Sequence, residues 1–184
     1  MSRAISAVHI ILTISVLAAG LSGCVAADNV SNSTKDERIG GKGAKIVYKK
    51  LTTNMMVKDV NRSIDFYSNV LGFEFVMGVP ESSQEIVSKW QKDQHLAFAI
   101  MKHGDVEMMF QSRKSATEEI SEFDNMDIGG SLIFYIEVED VKKLYEKLKD
   151  EATIVRDMEA KFYGKQEFYI RDCNGYILGF AGDI

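Results

Sequence analysis

Residues 51–75, LTTNMMVKDVNRSIDFYSNVLGFEF, have the pattern of a strand, a capped helix and a second strand. Apolar and polar side chains alternate over residues 51–57, which is the period of a β-strand. Asp59 follows at a position where its carboxylate can cap a helix, and the next apolar residues recur at helical spacing. Gly72 lies where the end of a helix favours a residue that tolerates a positive φ. The alternation resumes at Phe73, which predicts the next strand.

A second copy of this unit begins at Leu132, with the sequence LIFYIEVEDVKKLYEKLK. The segment VKDV at residues 57–60 returns as VEDV at residues 138–141, which is 81 residues later. A repeat that occurs only twice over such a distance favours two pseudo-symmetric halves of one domain over a solenoid. Turn signals at residues 103–105 and 174–175 each separate two further strands. Each half is therefore predicted to be βαβββ, and the fold class α+β.

Two polar segments interrupt this order. A short helix is predicted around residues 83–90. Residues 112–127 are polar and acidic, with no strong period beyond one helical turn at residues 118–123. This second segment is predicted to be the link between the halves.

The first 23 residues have the pattern of a secretory signal peptide. They contain no acidic residue, and Arg3 precedes an apolar run, HIILTISVLAAG, that is short for a membrane-spanning helix. The run leads into Leu21-Ser22-Gly23-Cys24, which resembles the lipobox of prokaryotic lipoproteins. The resemblance implies lipid on Cys24 and an extracytoplasmic protein anchored to a prokaryotic cell membrane. The alternatives are an ordinary signal peptide and an uncleaved anchor.

The predicted organisation is a signal peptide at residues 1–23, a flexible polar tether at residues 24–45 and one domain at residues 46–184. The chain has a net charge of −5, and the part after residue 23 has 21 basic and 27 acidic residues. This acidic balance argues against nucleic acid as a partner. With Cys24 lipidated, Cys173 would be the single thiol, which leaves neither an intrachain disulfide nor a cysteine metal site.

The parity of residues along the predicted strands sorts their side chains into two faces. One parity is almost wholly apolar and is expected to pack under the helices. The other parity is mixed, and it forms either a solvated surface or the wall of a pocket that binds a small molecule. The predicted pocket residues are Thr52, Asn54, Met56, Glu107, Met109, Gln111, Ile133, Tyr135, Glu137 and Gly179.

Four short motifs are spread over the two halves: VKDV at residues 57–60, FY at 66–67, LGF at 71–73, and YG followed by EFYIRDCNGY within 163–176. Together they resemble the vicinal oxygen chelate superfamily, which contains glyoxalase I, bleomycin-resistance proteins, fosfomycin-resistance transferases and extradiol dioxygenases. The resemblance covers residues 46–182 and implies two βαβββ modules that form an open, cup-shaped mixed sheet. In the superfamily's enzymes, His, Gln or Glu side chains in the cup hold a divalent metal that binds two substrate oxygens.

The resemblance places the metal ligands of those enzymes at four positions of this chain. They fall on Thr52, Ile133, Gly179 and either Glu107 or Met109, and the internal repeat favours Met109. Isoleucine and glycine offer no side-chain donor, whereas a catalytic transition-metal site needs about three firm N or O donors. We therefore predict no metal, no other cofactor and no catalytic residue.

Three functions are compatible with this scaffold. The first, which we adopt as the prediction, is a metal-free module that binds a small molecule in the cup. The second is a metal-dependent lyase, isomerase or dioxygenase with a rearranged site. Apart from any metal, Glu107 and Glu137 are either an acid–base pair in the cup or two solvated glutamates. The third is a non-catalytic interaction lipoprotein. Because members of the superfamily pair modules between chains, a homodimer is a candidate assembly.

Overall fold

The computed structural model describes residues 46–184, and the predicted signal peptide, Cys24 and the tether lie outside these residues. Residues 52–184 form one compact unit. Its strands are β1 (Thr53–Val57), β2 (Glu74–Pro80), β3 (Leu96–His103), β4 (Val106–Ser112), β5 (Ile133–Glu137), β6 (Thr153–Ala160), β7 (Lys165–Arg171) and β8 (Ile177–Asp183). Its helices are α1 (Val60–Asn69), α2 (Arg113–Glu119) and α3 (Val141–Leu148), with a 3-10 helix at Ser121–Asn125. Within residues 46–184, no helix combines the length and the apolar character needed to cross a membrane.

The eight strands form two four-stranded sheets with the same topology, in the orders β1–β4–β3–β2 and β5–β8–β7–β6. In each sheet the first strand is parallel to its neighbour, and the other pairs are antiparallel. This arrangement confirms the predicted α+β fold with two pseudo-symmetric βαβββ modules. The strands that were predicted to form one mixed sheet are hydrogen-bonded as two separate sheets, one in each module.

The strand register establishes which residues of the two modules are equivalent. Asn54 lies opposite Met109 in the first sheet, and Tyr135 lies opposite Gly179 in the second. The repeat of 81 residues relates Asn54 to Tyr135. Met109, and not Glu107, is therefore the counterpart of Gly179.

Two aspartates begin the helices that the repeat predicts. Asp59 Oδ1 accepts a hydrogen bond of 3.0 Å from the backbone N–H of Arg62. Asp140 Oδ1 accepts one of 2.9 Å from the backbone N–H of Lys143. Each bond satisfies an N–H group that has no partner within the first turn of its helix. Gly72, which follows α1, has a φ of 77° and so confirms the predicted left-handed helix end.

Helices α1 and α3 pack on one face of the sheets and share a hydrophobic core with them. The parity predicted for this core is confirmed by six buried residues, namely Met55, Val57, Met108, Phe110, Leu178 and Phe180. Leu51 and Leu132 were expected on the same face, but both are exposed because each lies before the first residue of its strand.

The two modules are joined where α1 meets the turn between β7 and β8. The Tyr67 hydroxyl donates to Asp172 Oδ2 at 3.1 Å, and Asn174 Nδ2 donates to Ser63 Oγ at 3.0 Å. We call these four buried residues the α1 junction. Asp172 Oδ1 also accepts from the backbone N–H groups of Asn174 and Tyr176, at 2.9 and 2.8 Å. One carboxylate therefore shapes the turn and holds it against the helix.

Two segments differ from their predictions. Residues 83–90 contain no helix, and Val87 instead forms an isolated antiparallel bridge with Gly78, with hydrogen bonds of 2.9 Å in both directions. Part of the predicted link is helix α2, which Ser112 caps by accepting a bond of 3.2 Å from the backbone N–H of Ser115. This short, polar helix has a single buried residue, Ala116, so its sequence lacks the apolar stripe that predicts a helix.

Candidate functional site

The face of each sheet that points away from α1 and α3, here called the inner face, carries the predicted pocket residues. On the first sheet this face is closed around Gln111, which is 3% exposed. Gln111 Oε1 accepts a bond of 2.7 Å from Asn54 Nδ2. Its Nε2 donates to Ser115 Oγ at 3.1 Å and to Glu119 Oε2 at 3.0 Å. Because Ser115 and Glu119 belong to α2, this helix lies across the first inner face.

Packing takes up part of the predicted pocket surface in the first module. By strand register, four buried apolar residues share this face with Gln111, namely Met77, Val79, Phe98 and Ile100. Met56 and Gln111, which were expected to line an open pocket, are buried as well. Thr52, Glu107 and Met109 are half-buried, and Asn54 is exposed. The part of the first inner face around Gln111 is therefore filled by packing and is closed to a ligand.

The inner face of the second sheet is open and is organised around Glu167, which is 2% exposed. Three tyrosine hydroxyls donate to its carboxylate. Tyr135 and Tyr163 both bind Oε1 at 2.7 Å, and Tyr169 binds Oε2 at 2.7 Å. We call these four residues the tyrosine cluster. Tyr135 and Tyr163 are 49% and 53% exposed, so their rings contact solvent while their hydroxyls point to the carboxylate.

Small residues on β8 allow the tyrosine cluster to form. Glu167 and Tyr169 are two residues apart on β7 and so share a face, and they lie opposite Ala181 and Gly179. Tyr135 lies on the other side of β8, also opposite Gly179. A Cβ added to Gly179 would lie 2.8 Å from Cε1 of Tyr169, which is closer than real side chains approach. The glycine therefore makes room for the Tyr169 ring over β8.

The hydrogen bonds keep Glu167 ionised and the tyrosines neutral. Burial opposes the charge on Glu167, but the bonds from Tyr163, Tyr169 and Tyr135 outweigh burial and lower the pKa of its carboxyl. The bond to Glu167 raises the pKa of Tyr135 and of Tyr169 to about 12, and it also raises the pKa of Tyr163. A general acid or base works best with a pKa near the working pH. The cluster is therefore suited to binding rather than to proton transfer near neutrality.

Charged side chains of both signs flank the tyrosine cluster. Lys165 Nζ lies 3.0 Å from Glu137 Oε1. Glu159 Oε2 lies 2.6 Å from Arg156 Nη2 and 2.9 Å from Lys161 Nζ. The open inner face is therefore an aromatic surface with paired charges at its edge.

The positions that the resemblance assigns to a metal do not form a donor set. Ile133 and Met109 carry no side-chain N or O, and the space above Gly179 is filled by the ring of Tyr169. Only Thr52 among these four offers an oxygen, as a hydroxyl. Within residues 46–184, no group of three His, Cys, Asp or Glu side chains could hold a metal ion. The residues present do not fit a divalent metal of the kind that the superfamily's enzymes use.

The sequence predicted part of this open face. Four of the predicted pocket residues come together on the second sheet, namely Ile133, Tyr135, Glu137 and Gly179. Sequence reasoning missed Glu167, Tyr169 and Tyr163. The alternation along β7 contained the signal for the first two, because Glu167 and Tyr169 share the parity that faces away from α3.

Two βαβββ modules with the same strand order define a glyoxalase-like fold. The sequence model of the Glyoxalase/Bleomycin resistance protein/Dioxygenase superfamily matches residues 51–180, and the chain belongs to this superfamily. This match confirms the resemblance found in the sequence motifs. A comparison with curated protein sequences gives no match.

Solved structures share the fold at low sequence identity. TioX from Micromonospora sp. ML1 is 17% identical with a TM-score of 0.54, and the alignment covers 74% of this chain and 100% of TioX. A glyoxalase/bleomycin resistance protein/dioxygenase from Nocardioides is 13% identical with a TM-score of 0.55, covering 76% of this chain and 87% of that one. A glyoxalase-related enzyme from Fulvimarina pelagi is 15% identical with a TM-score of 0.54, covering 74% and 89%. At these identities the likenesses establish the fold alone.

Proposed function

We propose that this protein binds a small molecule on the inner face of its second module, without a metal. The tyrosine cluster is the observation that carries the proposal. The buried Glu167 holds three tyrosine hydroxyls at 2.7 Å, so the rings are positioned before a ligand arrives. A ligand that packs on pre-positioned rings loses little free energy to side-chain ordering. Tyrosine also offers a large apolar contact area in a well-defined orientation.

The proposed ligand is planar and aromatic or heteroaromatic. Because the tyrosine hydroxyls already donate to Glu167, the exposed ring faces are what remains for recognition, and ring faces favour stacked or edge-on aromatic partners. Ile133, which is 56% exposed, extends the apolar surface beside Tyr135. The pair of Lys165 and Glu137 at the edge of the face can orient polar substituents of a ligand.

Removal of the Tyr135 ring tests this site. We expect acridine or riboflavin to raise the melting temperature of the wild-type protein, because a ligand that binds the native state stabilises it. Tyr135→Ala should weaken this binding by about tenfold, which corresponds to about 1.4 kcal/mol of lost ring contact. Thermal shift at several ligand concentrations, followed by calorimetric titration, measures both effects.

Tyr145 provides a matched control for Tyr135. Its hydroxyl also donates to a carboxylate, Asp157 Oδ1 at 2.9 Å, but it lies on α3, away from the inner face. Tyr145→Ala should therefore leave the affinity unchanged. Equal losses in the two variants, or no stabilisation by any planar compound in a broad panel, would contradict the proposed site.

The proposed location is the outer side of a prokaryotic membrane, with lipid on Cys24. The lipobox-like segment at residues 21–24 and the polar stretch at residues 24–45 support this part of the proposal. In cells, the wild-type protein should fractionate with membranes, and its N-terminal peptide should carry acyl mass. Cys24→Ser should move the folded domain to the soluble extracytoplasmic fraction. The same distribution for both proteins would exclude a lipid anchor at this residue.

A further inference from the structure

The pseudo-symmetry of the two modules is broken at the counterpart of the α1 junction. The 81-residue repeat relates Ser63 and Tyr67 of α1 to Leu144 and Leu148 of α3. The two residues that α1 contributes to the α1 junction are therefore replaced by leucine, whose side chain can neither donate nor accept a hydrogen bond. The polar contact that holds α1 to a turn of the other module has no equivalent at α3.

The turn opposite α3 lacks a counterpart of the Asn174 side chain. The equivalence of Met109 and Gly179 relates Asn174, in the turn between β7 and β8, to Gly104, in the turn between β3 and β4. A Cβ added to Gly104 would meet no atom within 4 Å, so this turn borders open space. The β7–β8 turn packs against α1, whereas the related β3–β4 turn does not pack against α3.

A cleft of about 630 Å³ lies here, lined by residues of the β3–β4 turn and of α3. Its walls are mainly apolar and come from both modules: Leu71, Phe73, Val106, Ile136, Leu144 and Phe180. The three wall residues that lie on strands, Val106, Ile136 and Phe180, have the parity that faces the helices. The cleft therefore lies on the helix side of the sheets, and it shares Glu137 with the inner face that carries the tyrosine cluster. Its volume lies within the range of about 300–1,000 Å³ that is usual for small-molecule sites.

The polar groups of the cleft are mostly acidic. Asp105, Glu137 and Glu139 line it, together with His103. Glu137 pairs with Lys165 at 3.0 Å, whereas Asp105 and Glu139 form no ion pair among the residues that the structure describes. The His103 ring lies against Phe73, with ring centroids 5.7 Å apart. An apolar body with a positively charged end is the chemistry that complements these walls and charges.

We propose that this cleft is a second binding site, which takes an amphipathic amine. The apolar part lies between the two modules against Leu144 and Phe180, and the ammonium group lies at the edge near Asp105 and Glu139. This site goes beyond the proposed function, because its place and the charge of its ligand both differ from those of the inner face.

Decylamine, decanol and decanoate, each below its micellar concentration, are the probes for this site in calorimetric titrations of the mature protein. We expect decylamine to bind more tightly than decanol and decanoate to bind least, because the acidic edge favours a cation. The double variant D105N/E139Q, which changes two exposed residues, should weaken decylamine binding by about tenfold and leave decanol unaffected. Equal affinities for the three probes, or no binding of decylamine, would overturn the proposal.

Leu144→Trp should fill the cleft and abolish binding of all three probes. Ile133→Trp is the matched control, because it adds the same side chain to the inner face and should leave decylamine binding unchanged. If Leu144→Trp fails to fold, the D105N/E139Q result still decides the proposal, since those substitutions lie outside the core. Loss of decylamine binding in Ile133→Trp alone would place the ligand on the inner face and refute the cleft.

Discussion

Replacing Glu167 with alanine is expected to lower the free energy of unfolding by about 2–4 kcal/mol. The buried carboxylate accepts three hydrogen bonds of 2.7 Å, and bonds to a charged acceptor are stronger than those between neutral groups. In the variant, the hydroxyls of the half-exposed Tyr135 and Tyr163 can form hydrogen bonds with water, which limits the loss of folding free energy. Urea denaturation followed by circular dichroism measures this change.

The pH dependence gives a second readout of Glu167. The folded pKa of Glu167 is lowered, so its contribution is present above the unfolded pKa of about 4.3 and is lost as the pH falls through the folded value. The folded pKa of Tyr135 is raised to about 12, so its contribution is complete below about pH 10 and is lost as the pH rises toward 12. In Glu167→Gln, tyrosinate absorbance should therefore appear at lower pH than in the wild-type protein.

Glu137→Gln is the control for these measurements. Glu137 lies on the same inner face but is exposed, and its partner Lys165 is also reached by water. Loss of such a surface pair should change the free energy of unfolding by less than about 1 kcal/mol. The pH at which tyrosinate absorbance appears should stay as in the wild-type protein. Identical titrations in the Glu137 and Glu167 variants would contradict the tyrosine cluster.

Replacing Asp172 with alanine is expected to cost about 3–5 kcal/mol of folding free energy. Its carboxylate accepts from the hydroxyl of Tyr67, which is fully buried, and from the backbone N–H groups of Asn174 and Tyr176. Burial, followed by the nearby Asp172 charge, raises the pKa of Tyr67 well above its ordinary value, so this hydroxyl stays protonated and needs an acceptor. Chemical denaturation of the variant measures the loss.

A double-mutant cycle separates the helix contact from the turn contacts of Asp172. Tyr67→Phe removes the hydroxyl together with its need for an acceptor, and should cost about 1 kcal/mol. In that background, Asp172→Ala should cost less than it does alone, by about 1 kcal/mol or more. Additive effects of the two substitutions would mean that Asp172 stabilises only the turn.

The fold could be predicted because its determinants are local and repeated. Asp59 and Asp140 cap helices that follow strands of the right period, and each can be recognised from about a dozen neighbouring residues. The α+β class and the two modules follow from that repeat. The superfamily match over residues 51–180 agrees with the motifs that suggested it.

The site was harder to predict because it depends on contacts between distant segments. Closure of the first inner face rests on Gln111 binding Ser115 and Glu119, which belong to a helix without an apolar stripe. The tyrosine cluster brings together Tyr135 and Glu167, 32 residues apart, across a strand whose glycine admits them. The cleft lies where the two modules differ in packing, although their sequence patterns are the same: α1 is held to the β7–β8 turn, and α3 has no such contact with the β3–β4 turn. The homodimer and the lipid anchor stay predictions.

Helix α2 gives the duplicated modules unequal freedom to accumulate substitutions. Where α2 lies over β3, a replacement of the buried Phe98 must match its volume, and other apolar residues of about that size should be accepted. The position on β7 that is related to Phe98 is Glu167, which is buried but accepts a hydrogen bond from the half-exposed Tyr135 of the open inner face. In a saturation library selected for ligand retention, Phe98 should tolerate substitution by other apolar residues, whereas Glu167 and Tyr135 should not tolerate substitution. Two copies of one ancestral pattern would thus drift at different rates.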